Sequence, residues 1–281
     1  MPVRDTSHGG RGPVVVIGGA EDKRGDRLVL SRLVEMAGPD PHLVVLSTAS
    51  MRGEEAIARY GELFTEMGAA RVTGLRPLTR EEADDPAASA TVMRANGVFL
   101  TGGNQVRLVS VIGGTRLEDA LFSARDRGAV IAGTSAGASA VAAHMVAFGR
   151  PGASPRHRMV HISAGLGLIE DVIVDQHFEQ RGRMGRLLAA VAISPKLLGL
   201  GLDEDTAAIV YADRTVEVVG KGSVTIVDGS KVSTDAYRIK AHRPMMVSGA
   251  VVHALPAGYW FDLRARKLIP PETMEEKEAS E

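Results

Sequence analysis

Cysteine is absent from the 281-residue chain, and this absence excludes three kinds of chemistry. The protein can form no disulfide, use no thiolate nucleophile and bind no metal through cysteine. An excess of charge of one sign is also missing, because 33 lysines and arginines nearly balance 34 aspartates and glutamates. The bulk charge therefore indicates neither a nucleic-acid nor a membrane partner.

Long apolar segments are missing as well. The N-terminal stretch MPVRDTSHGGRG is polar and lacks the hydrophobic core of a signal peptide. No apolar run approaches the roughly 18 residues that a membrane span requires. We therefore expect a soluble, cytoplasmic protein. We expect a disordered tail at residues 1–12, one α/β domain at residues 13–270 and an acidic tail at residues 271–281.

The chain instead contains short β-branched runs that alternate with segments of helical periodicity. Apolar strands are predicted at PVVVIGG, HLVVLSTAS, ARVTGLRPL, GVFLTGG and AVIAG. Their alternation with helices predicts a mostly parallel sheet that is covered on both faces. In such sheets the functional site lies beyond the carboxyl ends of the strands. Glycines cluster at three of these ends, at residues 18–19, 102–103 and 133–137.

The pattern changes after about Leu200. The segments AAIVYA, TVEVVG, SVTIVDG and AYRIKAH read as shorter strands. We expect them to form β-hairpins that extend or cap the sheet, and not an independent domain. The fold class predicted for the whole chain is therefore α/β, with C-terminal β-hairpin additions to a mostly parallel sheet.

One serine, Ser135, lies in the sequence Gly-Thr-Ser-Ala-Gly between a predicted strand and a predicted helix. This spacing is typical of a nucleophile elbow, a sharp turn that exposes the serine hydroxyl. A glycine-rich turn with a serine that caps the helix would have the same sequence, so both interpretations stay open here. Ser163 in ISAGLG lacks the preceding glycine and is a weaker candidate.

A serine nucleophile needs a base and a group that orients the base. His177 follows a predicted strand in DVIVDQH, although a surface imidazole is the ordinary alternative. We expect His144 to lie on the helix after the serine and to point away. Three acids follow a further strand at residues 203–205, and these could instead form a solvated loop or an N-cap.

The order Ser135, His177, Glu204 argues against an ordinary α/β-hydrolase, in which the acid precedes the histidine. It is similar to the order in glutamine amidotransferases. Six blocks then resemble the cyanophycinases, serine peptidases that are related to peptidase E. The resemblance covers Val14 to about Tyr211, and the blocks that carry it are IGGAEDK, FLTGGNQ, GTSAGASA, ISAGLGLI, DQHFEQRGR and GLDEDTA.

The resemblance implies a three-layer α/β/α fold of the flavodoxin-like, class I glutamine amidotransferase-like type. It implies a homodimeric serine exopeptidase without metal or cofactor, which would cleave cyanophycin to β-Asp-Arg dipeptides through an acyl-enzyme. Cyanophycin is polyaspartate that carries arginine on its β-carboxyl groups. The alternatives are a peptidase E-like aspartyl dipeptidase, another β-aspartyl or isopeptide hydrolase, and a non-catalytic ligand-binding protein on the same fold.

The resemblance also assigns roles to individual residues. Ser135 would be the nucleophile, His177 the base, and Glu204 the orienting acid, with Asp203 and Asp205 as substitutes. Oxyanion donors would be the N–H groups of Gly103 and Ala136. The substrate-binding residues would be Gln105, Asp175, Gln176, Arg181, Arg183 and Arg186.

The arginines also have a chemical interpretation of their own. Guanidinium groups bind carboxylates bidentately, so three of them beside the base could receive an acidic polymer, while Asp175 could bind a substrate guanidinium. The alternatives are a solvated helix face or structural ion pairs. The glycines at residues 182 and 185 favour a loop in this segment.

Three further patterns have weaker interpretations. GGAEDKRG resembles a phosphate loop but lacks the nucleotide-binding spacings, and we expect it to form the floor of the cleft. His157 and His161 have the spacing of zinc ligands on a helix, but the prolines, glycines and arginines nearby argue against a helix, so we expect no metal site. Residues 148–159 (FGRPGASPRHRM) would form a mobile rim or a plain surface loop.

Overall fold

A computed structural model describes residues 10–270 of the chain. The two expected tails fall mainly on residues 1–9 and 271–281, which lie outside the described residues. The helices are α1 (Leu28–Met36), α2 (Gly53–Glu66), α3 (Arg80–Ala83), α4 (Pro86–Met93), α5 (Gln105–Ile112), α6 (Arg116–Asp126), α7 (Ala136–Ala140) and α8 (Met184–Ile193).

Between residues 10 and 270 the strands fall into two large sheets and one small one. They are β1 (Val14–Ile17), β2 (His42–Leu46), β3 (Arg71–Leu75), β4 (Gly97–Leu100), β5 (Val130–Thr134), β6 (Ala142–Gly149), β7 (Val160–Ala164), β8 (Ile169–Gln176), β9 (Leu198–Leu202), β10 (Thr206–Val210), β11 (Thr215–Gly220), β12 (Ser223–Asp228), β13 (Ser233–Thr234), β14 (Val247–Ser248), β15 (Val251–Pro256), β16 (Trp260–Asp262) and β17 (Lys267–Ile269).

The first sheet has nine strands in the order β17-β16-β11-β10-β1-β5-β4-β2-β3. Its five strands from β1 to β3 in that order are parallel, as their alternation with helices predicts. The other four strands extend it in antiparallel pairing. The predicted α/β class and the predicted C-terminal hairpins are therefore confirmed.

A second sheet of six strands was not predicted. Its order is β15-β12-β9-β8-β6-β7, and β6, β8 and β9 are parallel. The helix after Ser135 has only five residues, and the chain then returns to a strand at Ala142. His144 therefore lies on β6, and its expected place on a helix is wrong.

The predicted strand AYRIKAH is also wrong, because residues 236–242 form turns. Asp235 accepts hydrogen bonds from the backbone N–H groups of Arg238 and Met246, which form a turn in place of an extended strand. Ala241 and His242 have positive φ angles of 51° and 55°, a conformation that no regular strand contains.

Both faces of β1 are covered, which explains why its side chains are apolar without alternation. Val15 and Ile17 contact the buried residues of α1 and α2. Val14 and Val16 face a core that includes α5, α6 and α7 and also residues of the second sheet such as Val174. Helix α8 covers the far face of the second sheet. Within the described residues, no helix has the length and apolar character to cross a bilayer.

The expected rim at residues 148–159 begins at the end of β6 and is tied to two neighbours by backbone hydrogen bonds. Gly152 donates to Gly182 and accepts from Gly185, both at 2.8 Å. Pro155 accepts from Met245 at 3.0 Å on the other side. The loop is thus anchored between the start of α8 and residues 243–245, and its mobility stays a prediction.

We predict that Gly185→Ala releases this loop. A Cβ at Gly185 would lie 2.5 Å from the carbonyl oxygen of Gly152 and 2.7 Å from the carbonyl carbon of Ser154, so the loop must move. Limited digestion with trypsin should then cut faster after Arg156 and Arg158, which are exposed.

The matched control is Gly61→Ala in α2, where a Cβ would have nothing within 4 Å. Alanine stabilises a helix interior by about 0.5–1 kcal/mol relative to glycine, so this variant should keep the wild-type cutting rate or lower it. Equal cutting of all three proteins would show that the contact with Gly185 does not hold the loop.

Candidate active site

Ser135 lies in the sharp turn between β5 and α7. Its φ of 51° and ψ of −108° are unusual for a residue with a Cβ. The flanking glycines are required by contact, because a Cβ at Gly133 would overlap Gly137 and a Cβ at Gly137 would overlap the carbonyl of Leu100. The Ser135 side chain makes no helix-capping bond. Its Oγ instead lies 2.9 Å from Nε2 of His177, so the capping interpretation does not apply.

His177 follows the end of β8 and has a positive φ of 47°. Its backbone N–H donates to the carbonyl of Gly18 at 2.9 Å. Gly19 lies directly against the imidazole, since a Cβ there would come within 2.7 Å of Nε2. The glycine pair after β1 therefore leaves the space that the imidazole occupies.

Glu204 lies in the turn at which the chain passes from β9 in the second sheet to β10 in the first. Its Oε1 is 2.6 Å from Nδ1 of His177, and its backbone N–H donates to Oε1 of Gln180 at 3.0 Å. The three residues that the sequence proposed as a triad thus form one hydrogen-bonded chain.

The two aspartates beside Glu204 have structural partners. Asp203 accepts from the backbone N–H and hydroxyl of Ser223 at 3.0 and 2.9 Å, and from the N–H of Glu179 at 3.1 Å. Asp205 accepts from the N–H of Asp22 at 2.7 Å. Neither of them is needed as a substitute for the orienting acid.

Burial lowers the pKa of His177, because the charged imidazolium would lose hydration. The hydrogen bond that His177 donates to Glu204 opposes this shift, while the positive charges of Arg181 and Arg183 add to it. The net pKa lies below the ordinary value, so the imidazole is neutral at neutral pH. With Nδ1–H donated to Glu204, Nε2 can accept a proton from the Ser135 hydroxyl.

The turn from β4 to α5 lies beside the serine. A Cβ at Gly102 would be 3.3 Å from the Cβ of Ser135. Gly103 has a φ of 144°, and a Cβ there would overlap the carbonyl of Ala49. Ala136 is the first residue of α7, and its N–H has no carbonyl partner within the helix. Both expected oxyanion donors therefore belong to peptides next to Ser135.

The expected binding residue Asp175 does not face an open pocket. Its side chain is 1% exposed, and Arg186 Nε donates to its Oδ2 at 2.6 Å, with a second contact from Nη2. Arg183 approaches the same carboxylate at 3.2 Å. The geometry agrees with the alternative of structural ion pairs and corrects the expectation that Asp175 receives a substrate guanidinium.

The other expected binding residues differ in exposure. Gln105 donates from Nε2 to the carbonyls of Val146 and Ala147, both at 2.9 Å. Gln176 is buried and accepts from Arg183 through its carbonyl and side-chain oxygens. Arg181 is exposed, whereas Arg183 and Arg186 are buried.

A buried carboxylate that the sequence analysis did not assign lies under the serine turn. Glu21 is 3% exposed and accepts from the hydroxyl of Thr134 at 2.6 Å, from Lys23 at 2.8 Å and from the hydroxyl of Tyr60. Burial opposes ionisation of Glu21, but Lys23 and the hydrogen bonds outweigh it and lower the pKa. Glu21 therefore holds the residue that precedes Ser135.

The signal for Glu21 was present in the sequence. An acid in GGAEDK directly follows a strand that is buried on both faces, where charge is unfavourable unless it has partners. The expected role of this segment as the floor of the cleft stays a prediction. His161 lies on β7 and His157 in the loop before it. Across residues 10–270, no three His, Asp or Glu side chains are grouped to hold a metal ion.

Comparison with known proteins identifies relatives along most of the chain. The chain is 41% identical over 261 residues to a cyanophycinase of Nostoc sp., covering 92% of this chain and 87% of that protein. It is 39% identical over 251 residues to a cyanophycinase of Geminocystis herdmanii, covering 88% of this chain and 92% of that protein.

The fold also has solved relatives. A crystal structure of a peptidase from an acI-B1 actinobacterium superposes with a TM-score of 0.61 at 22% identity, covering 86% of this chain and 97% of that one. At this identity the likeness shows the fold alone. Residues 14–219, which include the Ser135–His177–Glu204 chain, match the model of Peptidase family S51. The protein is therefore a member of peptidase family S51.

Proposed function

We propose that this peptidase is a cyanophycinase, a serine exopeptidase that releases β-Asp-Arg dipeptides from cyanophycin. The observation that carries the proposal is the hydrogen-bonded chain from Ser135 to Glu204, with distances of 2.9 and 2.6 Å, in a member of family S51. The substrate follows from relatives that are named cyanophycinase and are 34–41% identical to the chain.

In the proposed first half-reaction, Oγ of Ser135 attacks the scissile carbonyl carbon while Nε2 of His177 takes the hydroxyl proton. The carbonyl oxygen becomes an oxyanion, which the N–H groups of Gly103 and Ala136 would stabilise. The tetrahedral intermediate expels the amine, which takes the proton from His177. Glu204 accepts the Nδ1–H hydrogen bond and stabilises the imidazolium that forms in between.

The second half-reaction repeats these steps with water. His177 removes a proton from water, the hydroxide attacks the acyl-enzyme ester, and the Ser135 oxygen leaves with that proton. In this mechanism the serine turn is a nucleophile elbow. Arg181, exposed near His177, is the guanidinium best placed to bind a carboxylate of the substrate.

The first test is to incubate the purified protein with cyanophycin granules and to identify the soluble products by mass spectrometry. Wild-type protein should release β-Asp-Arg, whereas Ser135→Ala should lower turnover by about 10³-fold or more, since the nucleophile is lost. Glu204→Gln should retain more activity than Ser135→Ala, because the nucleophile and base remain.

The serine can be checked separately from the substrate with a fluorophosphonate that labels activated serines. Labelling of Ser135 without release of β-Asp-Arg would reject cyanophycin as the substrate, and short aspartyl and isoaspartyl peptides would then be tested. Failure to label Ser135 would reject the serine-peptidase mechanism and favour a ligand-binding protein on this fold.

The pH profile tests the role of His177 as the base. The acid limb of the kcat/KM profile should have its midpoint below pH 6.5, since the pKa of His177 is lowered from that value. Arg181→Gln removes a positive charge that disfavours the imidazolium, so the limb should move to higher pH. Glu204→Gln removes a partner that favours the imidazolium, so the limb should move to lower pH.

Arg127→Gln is the control for the loss of an arginine, because Arg127 is exposed at the far end of β5 from the serine. It should leave the limb in place. If neither Arg181→Gln nor Glu204→Gln moves the acid limb, the titrating group is not His177.

Three expectations stay predictions. Cytoplasmic location can be examined by cell fractionation, a homodimer by light scattering, and a rim that substrate orders by proteolysis with and without substrate.

A further inference from the structure

An exposed aromatic pair lies at the end of β6. Phe148 is 61% exposed, and its ring stacks on the imidazole of His161 with centroids 4.2 Å apart and an interplanar angle of 23°. The imidazole covers one face of the phenyl ring. Within the described residues, no lysine or arginine lies over the ring of Phe148. The cations that lie over aromatic rings in this part of the chain are Lys23 over Tyr60 and Arg238 over Tyr237.

Strand register places this pair at the same end of the second sheet as the catalytic histidine. Strands β6 and β8 are parallel, with Met145 beside Val174. Phe148 lies beyond Met145, after a register shift that follows Val146, and His177 lies beyond Val174. Because parallel strands end at the same edge, Phe148 and His177 lie at the same end of the second sheet.

The pair also lies on the face of the sheet that carries the serine turn. Val160 and Ile162 on β7 face the core under α8, so His161 between them faces the opposite way. Phe148 is paired with His161 across the strands. On β8 the opposite face carries Val174, which shares a core with residues of α7 such as Ala136.

Two of the expected binding residues hold the backbone on both sides of Phe148. Gln105 donates to the carbonyls of residues 146 and 147 at 2.9 Å. Arg186 donates from Nη1 to the carbonyl of Gly149 at 3.0 Å. A register shift between Val146 and Phe148 turns the strand at this point. The aromatic side chain therefore projects from a backbone that the cleft residues fix.

We propose that Phe148 and His161 form a stacking platform that binds a guanidinium group of the substrate. A guanidinium is planar and weakly hydrated, and it stacks on aromatic faces more readily than other cations do. Cyanophycin carries such a group on its aspartates, so this inference rests on the proposed function. The buried Asp175, already paired within the chain, leaves the recognition of arginine to another site.

A binding experiment tests the platform without activity. In Phe148→Trp the new indole would report a guanidinium that stacks on it. Its fluorescence should change on titration with Nα-acetyl-arginine amide and much less with Nα-acetyl-citrulline amide, the uncharged isostere. Wild-type protein, with Trp260 as its single tryptophan, supplies the baseline. Equal responses to arginine and citrulline would reject a guanidinium site.

Kinetics on cyanophycin test whether the platform serves catalysis. Phe148→Leu keeps the apolar volume but removes the ring, and should lower kcat/KM about three- to tenfold, mainly through KM. Phe148→Tyr keeps an aromatic ring, so its kcat/KM should lie within about twofold of the wild-type value. Tyr259→Leu is the matched control, since Tyr259 is a 41% exposed aromatic that directly precedes β16 of the other sheet.

The outcomes separate this inference from the proposed function. If wild type degrades cyanophycin and Phe148→Leu has the wild-type KM, the platform is wrong and the function stands. If kcat/KM falls as much in Phe148→Tyr as in Phe148→Leu, the aromatic face does not bind the guanidinium. If wild type does not degrade cyanophycin, the proposed function fails, and the arginine–citrulline titration still decides the guanidinium site.

Discussion

Three successive backbone carbonyls at the end of β1, those of residues 17–19, organise the candidate site. They accept hydrogen bonds from the N–H groups of Ser135, His177 and Asp205, respectively, at 3.0, 2.9 and 2.9 Å. Each donor lies in or next to a turn that carries one member of the hydrogen-bonded chain. Each such bond adds only about 1 kcal/mol to stability. What the three bonds supply together is position, because turns from two sheets are fixed to one rigid strand end.

This arrangement requires that residues 18 and 19 have no side chain. A Cβ at Gly18 would overlap the carbonyl of Asp203, and a Cβ at Gly19 would enter the imidazole of His177. Glu21 then anchors the neighbouring strand end through Thr134. One short segment of sequence, GGAE, thus contacts the turns that carry Ser135, His177 and Glu204.

The sequence predicted the parallel strands and their glycine-rich ends because both depend on local patterns, namely apolar runs and the absence of a Cβ. It located Ser135, His177 and Glu204 because motif order identified them. The second sheet was missed because residues 136–140 are small and fit a helix of any length, so the return to β6 leaves no periodic signal. The sequence left two interpretations of the arginines open, because guanidiniums that bind a substrate and those that pair with a buried acid have the same spacing.

The buried arginines that pair with Asp175 act on both His177 and the backbone beside the aromatic pair. Asp175 carries one negative charge and contacts two guanidiniums, so the cluster keeps an excess positive charge close to His177. The charge of Arg183 contributes to the lowered pKa of His177. Arg186, on the other side of the same carboxylate, holds the carbonyl of Gly149 directly after Phe148. The two arginines on this one carboxylate therefore act on different parts of the site, Arg183 on the ionisation of His177 and Arg186 on the backbone beside the aromatic pair.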